Sequence, residues 1–159
     1  MITIFSKPIH SGKTTELLNW SKEHNNSAGI LMPDIDGQRY FFDIKTQQNF
    51  IAQCNQVENE EQKILSIGKY FFYEDAFEKA NQIIIKSINS KYQTIIIDEV
   101  GKLELQEKGF HLSIKFILQN YATTKKNLLL VVRDSLLKEV IEFYKLKDYQ
   151  VIQSIKELQ

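Results

Sequence analysis

The chain has 159 residues, of which 43% are hydrophobic and 25% charged; that is enough for one ordinary core and cramped for two, so a single domain over residues 1–159 is expected. Twenty basic residues balance twenty acidic ones, which argues against a broadly basic surface for nucleic acid or membrane. One cysteine, Cys54, excludes an intramolecular disulfide and disfavours a cysteine-built metal site.

In chain order, Ile2 to Ser6 reads as a short buried strand, and Lys13 to about Glu23, with Leu17, Leu18 and Trp20 as its apolar positions, reads as a helix. "AGILMP" (28–33) and "RYFFDIK" (39–45) read as strands. The segment 34–38 between them contains an Asp-Gly pair that predicts a hairpin turn. The polar stretch 53–62, with Glu58, Glu60 and Glu61, reads as a solvated loop. "ILSIGKYFFY" (64–73) predicts a further strand and a glycine-interrupted connection. Phe77, Ala80, Ile84 and Ile88 then mark an amphipathic helix from Glu74.

"QTIIIDE" (93–99) is a continuous apolar run closed by two acids, the pattern of a strand covered on both faces. Phe110, Ile114, Ile117, Leu118 and Tyr121 mark the next helix, and "NLLLVV" (127–132) another buried strand. Leu137, Val140, Ile141 and Tyr144 mark a helix, and "YQVIQSI" (149–155) a last strand. Strands alternating with helices predict an α/β fold: a three-layer, doubly wound and mostly parallel sheet carrying a β-hairpin. The N-terminal residues lack the basic start of a signal peptide, and no run approaches the ~20 apolar residues of a membrane span. A cytoplasmic protein is expected.

Between the first strand and the first helix lies Lys7-Pro8-Ile9-His10-Ser11-Gly12-Lys13-Thr14-Thr15. Its Gly-Lys-Thr ending fits a phosphate-binding loop of the Walker A type, with strand before and helix after. The chemistry explains the residue types. The loop from Pro8 to Thr15, through its backbone N–H groups from Ile9 onward, and the helix N-terminus can cradle phosphate, Gly12 clears room for it, Lys13 brings a cation and Thr14 a hydroxyl for Mg²⁺. Lys7 stands where the pattern has its first glycine; Pro8 biases it toward extended backbone, so the substitution is tolerable. His10 reads as a solvent-facing or packing residue in preference to a phosphate ligand.

Asp98 and Glu99 end a buried strand at the carboxyl edge, where open α/β sheets bind ligands. Asp98 there can hold Mg²⁺ opposite Thr14, and Glu99 can activate a water. Two acids can also merely end a strand, but the order of loop first and acids second favours the Walker B reading.

"DEVGKLEL", Asp98 to Leu105, resembles the Asp-Glu-(Ile/Val)-Gly-x-(Met/Leu)-Glu-Leu signature of the THEP-type nucleoside-triphosphatases, small P-loop proteins with a RecA-like core. "SGKTTELL", "DGQRYFFDI" and "IGKYFFYEDAFEKA" are similar to other segments of that family, so the resemblance runs along most of the chain. It implies a Mg²⁺-dependent hydrolase of nucleoside triphosphates (ATP or GTP), with Lys13 and Thr14 as phosphate and metal ligands, Asp98 supporting Mg²⁺ and Glu99 as base. The family usually has glycines at Lys7 and His10. After the "NLLLVV" strand, where it often has histidine followed by basic residues, only Arg133 fits.

The chain has two arginines, Arg39 and Arg133. Arg133 reads equally as a catalytic cation for the γ-phosphate or as an ion-pair partner of a neighbour such as Asp134; for Arg39 the structural reading is preferred. Glu104 either holds the loop after Asp98 or contacts ligand. His111 reads as a packing or surface residue, and the aromatics Tyr40 to Phe42 and Tyr70 to Tyr73 as core more than as a base-stacking platform. Two other functions remain open: a kinase using the same loop, against which counts the lack of an arginine-rich lid, and a nucleotide-binding module without turnover.

Overall fold

A computed structural model describes residues 1–55 and 60–158. Among these residues ten strands and five α-helices follow in order: β1 (Ile2–Lys7), α1 (Lys13–Glu23), β2 (Ser27–Leu31), β3 (Asp34–Ile35), β4 (Gln38–Asp43), β5 (Gln48–Ile51), β6 (Ile64–Ile67), β7 (Tyr70–Tyr73), α2 (Glu74–Ile88), β8 (Thr94–Val100), α3 (Lys102–Leu105), α4 (His111–Thr124), β9 (Asn127–Arg133), α5 (Leu137–Tyr144) and β10 (Tyr149–Ile152). The main sheet runs β10-β1-β9-β8-β2-β4-β3, with β5 on β4. The five strands from β10 to β2 are parallel, and β4 adds antiparallel to β2.

The apolar runs explain why this sheet is buried on both faces. Ile2, Ile4, Ile95, Ile97, Leu128, Leu130 and Val132 point into one core with Ile84 of α2, Ile114 of α4 and Val140 of α5. Their alternates Phe5, Ile96, Leu129 and Val131 meet Leu17 of α1 and Ile155 on the other face. A period of two with both faces apolar is what a strand between two helical layers requires. The three-layer, mostly parallel α/β architecture expected from the sequence is therefore present, with helices α2, α4 and α5 opposite α1.

Asp36 and Gly37 both take positive φ, 52° and 80°, which matches the twist of a two-residue hairpin and joins β3 to β4. Other elements depart from the sequence reading. The segment 64–73 forms a separate two-stranded hairpin, β6–β7, turning at Gly68-Lys69. β5 and the single turn α3 carried no periodic signal. The last strand stops at Ile152, three residues early, and a 3₁₀ turn follows over Ile155–Glu157. In the polar stretch 53–62, Cys54 is buried, as is Ala52 just before it, and Gln53 bridges to Phe72; Glu58 lies outside the described residues. Among the described residues no helix is long and apolar enough to cross a membrane.

The close packing of β2 on β8 depends on Gly29. A Cβ there would lie 2.0 Å from the Ile96 carbonyl oxygen, and its φ is +126°; only glycine meets both conditions.

Candidate active site

The sheet order puts the ends of β1, β9 and β8 side by side, with β9 between the other two. The loop leaving β1 and the acids ending β8 are thus held one strand apart, and Arg133 ends the strand between them. Lys7 is in register with Arg133.

Gly12 is the N-cap residue of α1 in the left-handed region, φ 80°, and no side chain caps the helix. The first backbone N–H groups of α1 are therefore left for an anion, aided by the helix dipole. The Lys13 ammonium is folded into the loop, donating to the carbonyl oxygens of Pro8 at 2.9 Å and Lys7 at 3.3 Å. Its third proton remains for a phosphate oxygen.

Lys7 itself sits in ordinary extended backbone at the end of β1. His10, exposed to solvent, carries the left-handed conformation, φ 58°. The cost of replacing glycine therefore falls on His10 and not on Lys7. The Lys7 ammonium instead bonds Glu16 Oε2 at 2.5 Å, tying the loop entry to the first turn of α1. Burial opposes ionisation of Glu16, but the bonds from Lys7 and from the Ile155 N–H outweigh it and hold its pKa below the usual value.

Asp98 is fully buried. Its Oδ2 accepts from the Thr14 hydroxyl at 2.7 Å and from the Met32 N–H at 3.1 Å, and its Oδ1 from the Glu99 N–H at 2.8 Å. Burial raises its pKa, and the charge of Glu99 adds to the rise. In a regular strand the next residue would point to the opposite face. Here the β8–β9 register slips between Ile97 and Val100 and Glu99 takes φ 57°. Such a bulge re-aims a side chain. Glu99 consequently opens onto the same cavity as the loop, a space of about 340 Å³ lined by Ile9 to Thr15, Met32, Arg39 and Tyr70. Pro8 does not line it and contributes its carbonyl to Lys13.

Both arginines converge on Glu99. Arg39 Nη1 lies 3.6 Å from Oε1 and Arg133 Nη2 lies 3.9 Å from Oε2. Arg133 therefore pairs with the candidate base and not with Asp134, whose carboxylate accepts from the Ser135 N–H. Arg39, read from the sequence as structural, reaches the site because β4 folds back along β2. The scarcity of arginine was the available signal. Glu104 is loop-holding: its Oε2 accepts from the Gly101 N–H at 2.7 Å and its Oε1 from the Phe110 N–H at 2.8 Å. His111 packs against Tyr144 and Phe143, away from the loop. Phe41, Phe42 and Phe72 are core, whereas Tyr70 lines the cavity.

The donor set also suits magnesium. Among the described residues no three His, Cys, Asp or Glu converge on one point, so a self-contained metal cage is absent there. A hydroxyl and a carboxylate 2.7 Å apart are instead the partial, all-oxygen set with which Mg²⁺ is held alongside substrate phosphates and water.

A family model described as NTPase matches residues 3–158. The chain belongs to this NTPase family. The THEP-type resemblance read from the signature after Asp98 is thereby borne out. Among solved structures, the NTPase superimposes on THEP1 from the hyperthermophile Aquifex aeolicus with a TM-score of 0.73 and 19% identity, covering 96% of this chain and 89% of that one. It also matches the solution structure of a human cancer-related nucleoside triphosphatase, with a TM-score of 0.67 and 19% identity over 94% and 86% of the two chains. No curated protein matches it in sequence. At this identity the likeness to the two structures carries the P-loop fold.

Proposed function

We propose that this NTPase hydrolyses nucleoside triphosphates, ATP and GTP alike, to the diphosphate and inorganic phosphate in a Mg²⁺-dependent reaction. The observation that carries the proposal is the meeting of three groups in one cavity: the loop ending in Lys13, the Thr14–Asp98 contact of 2.7 Å, and Glu99 turned toward both by the bulge. The amides from Ile9 to Thr15 bind the phosphates and Lys13 adds its charge. Thr14 and Asp98 would hold Mg²⁺, which when bound offsets charge on the β- and γ-oxygens.

Glu99 accepts the proton of the attacking water. Arg39 and Arg133, on either side of its carboxylate, orient it, and Arg133, at the end of β9, meets charge developing on the γ-phosphate. Phosphate release from ATP and from GTP, with and without Mg²⁺ and with no other acceptor, tests the proposal. Turnover that requires Mg²⁺ is expected. Tight binding of Mg²⁺-nucleotide with no phosphate released would leave a binding module in its place.

A further inference from the structure

A second cavity, of about 300 Å³, adjoins the first and shares Met32, Arg39, Tyr70 and Glu99 with it. Hydrolysis does not explain it. An attacking water occupies about 30 Å³, a tenth of this space. The cavity is built by elements that the phosphate loop does not need: the β6–β7 hairpin, the start of α2, and the turn α3. Its apolar wall comes from Phe72, Phe77, Leu103 and Phe110, and Phe77 and Phe110 pack edge-to-face at 5.0 Å.

The polar lining is cationic apart from the Glu99 carboxylate and the already bonded Glu104. Lys69, from the hairpin turn, and Lys102, from the first position of α3, are exposed and make no ion pair among the described residues. The Arg39 guanidinium lies 5.3 Å from the centroid of the Tyr70 ring, and the Lys69 ammonium 5.4 Å from it. An apolar wall with a few convergent charges, at the small end of the usual 300–1,000 Å³ range, has the make-up of a small-molecule site.

We propose that this second cavity holds a phosphoryl acceptor, a small ring-bearing molecule with an anionic group and a hydroxyl, presented to the γ-phosphate across Glu99. The ring packs on the aromatic wall, Lys69 and Lys102 take the anion, and the hydroxyl points at the Glu99 carboxylate. The acceptor oxygen bonds to the γ-phosphorus, and the bond from that phosphorus to the β–γ bridging oxygen breaks. The hydroxyl proton passes to Glu99, and the nucleoside diphosphate leaves. The inference rests on the assignment of Glu99 and the phosphate loop proposed above; water attack is then the reaction of the enzyme with its acceptor pocket empty.

The test uses the full chain with Mg²⁺ and ATP labelled at the γ-phosphate. The probes are the four common nucleosides and their 5′-monophosphates, which share a flat ring and ribose hydroxyls and differ in the anion. Label recovered in a probe, more with the monophosphates than with the nucleosides, is expected. Two variants lie outside the phosphate site: Lys69→Glu with Lys102→Glu on the surface, and Ile67→Trp, which fills the cavity from the end of β6, where Ile67 lines it. Each should lower labelling of the probe by about tenfold or more, the scale of one lost charge-assisted bond, and leave phosphate release without a probe within about twofold of wild type.

Label in inorganic phosphate alone, with every probe, overturns the acceptor pocket and leaves the hydrolase. Transfer that both variants leave unchanged also overturns it. Transfer without any release to water supports the pocket and removes the hydrolase reading. No turnover under any condition overturns both.

Discussion

Glu104 offers a prediction whose size follows from its surroundings. Its side chain is 2% exposed and links the Gly101 N–H, two residues past Glu99, to the Phe110 N–H at the start of α4. Burial raises its pKa from 4.5 to about 7, with a small contribution from the charge of Glu99 and against the opposing bonds from Phe110 and Gly101. The direction is the reverse of the common carboxylate case. Below 4.5 both the folded and the unfolded chain hold the proton. Between 4.5 and about 7 only the folded state does, so stability falls as pH rises and levels off once both are ionised. At 1.36 kcal/mol for each pH step, the ionised form costs about 3 kcal/mol.

Urea denaturation of wild type and Glu104→Gln between about pH 5 and about pH 8 reads this cost directly, because groups common to both proteins, Asp98 included, cancel in the difference. Near pH 5 the variant should be weaker by about 1–3 kcal/mol, since an amide offers one acceptor to two N–H donors. By about pH 8 the wild type should have lost about 2.5 kcal/mol relative to the variant, which closes or reverses that gap. A gap that stays constant across the range would show that Glu104 does not titrate there and that its environment is wetter than described.

Lys13→Ala should weaken binding of a non-hydrolysable triphosphate by about 10–100-fold, the scale of a lost charged hydrogen bond; equal affinity by titration contradicts the cradle. Gly29→Ala should cost about 2–4 kcal/mol in urea melts, because strain at positive φ adds to a backbone clash with Ile96; a change under about 0.5 kcal/mol means that β2 does not approach β8 so closely. Arg133→Ala should slow phosphate release by about 10³-fold, the lower end for an arginine that meets γ-phosphate charge. A loss under about tenfold would reduce Arg133 to a partner that steadies Glu99.

The parts of this site that are local in the chain were legible in the sequence. Gly12, Lys13 and Thr14 are contiguous, and the apolar run before Asp98 announces a buried strand end. The parts that depend on backbone detail or on distant chain segments were not. Strand alternation places Asp98 and Glu99 on opposite faces; only the slip at Glu99, with its left-handed φ, turns the second acid into the cavity. Arg39 is 60 residues before Glu99 in sequence and meets it through the antiparallel return of β4, which no periodicity encodes. The same holds for the β6–β7 hairpin. Its aromatics read as core, and Phe72 is, but Tyr70 forms the wall between the two cavities. The left-handed conformation falls on His10, while Lys7, ahead of Pro8, stays extended as the sequence implies.

Single-turnover phosphate release by Glu99→Gln, measured beside nucleotide affinity with Mg²⁺ and ATP or GTP, bears most directly on the account. The amide keeps the size of the side chain but cannot take a proton from water. Affinity within about threefold of wild type and release slowed by about 10²–10⁴-fold are expected. Release at the wild-type rate would contradict the assignment of Glu99 as the base, and with it the reading of the bulge as the feature that makes this cavity catalytic.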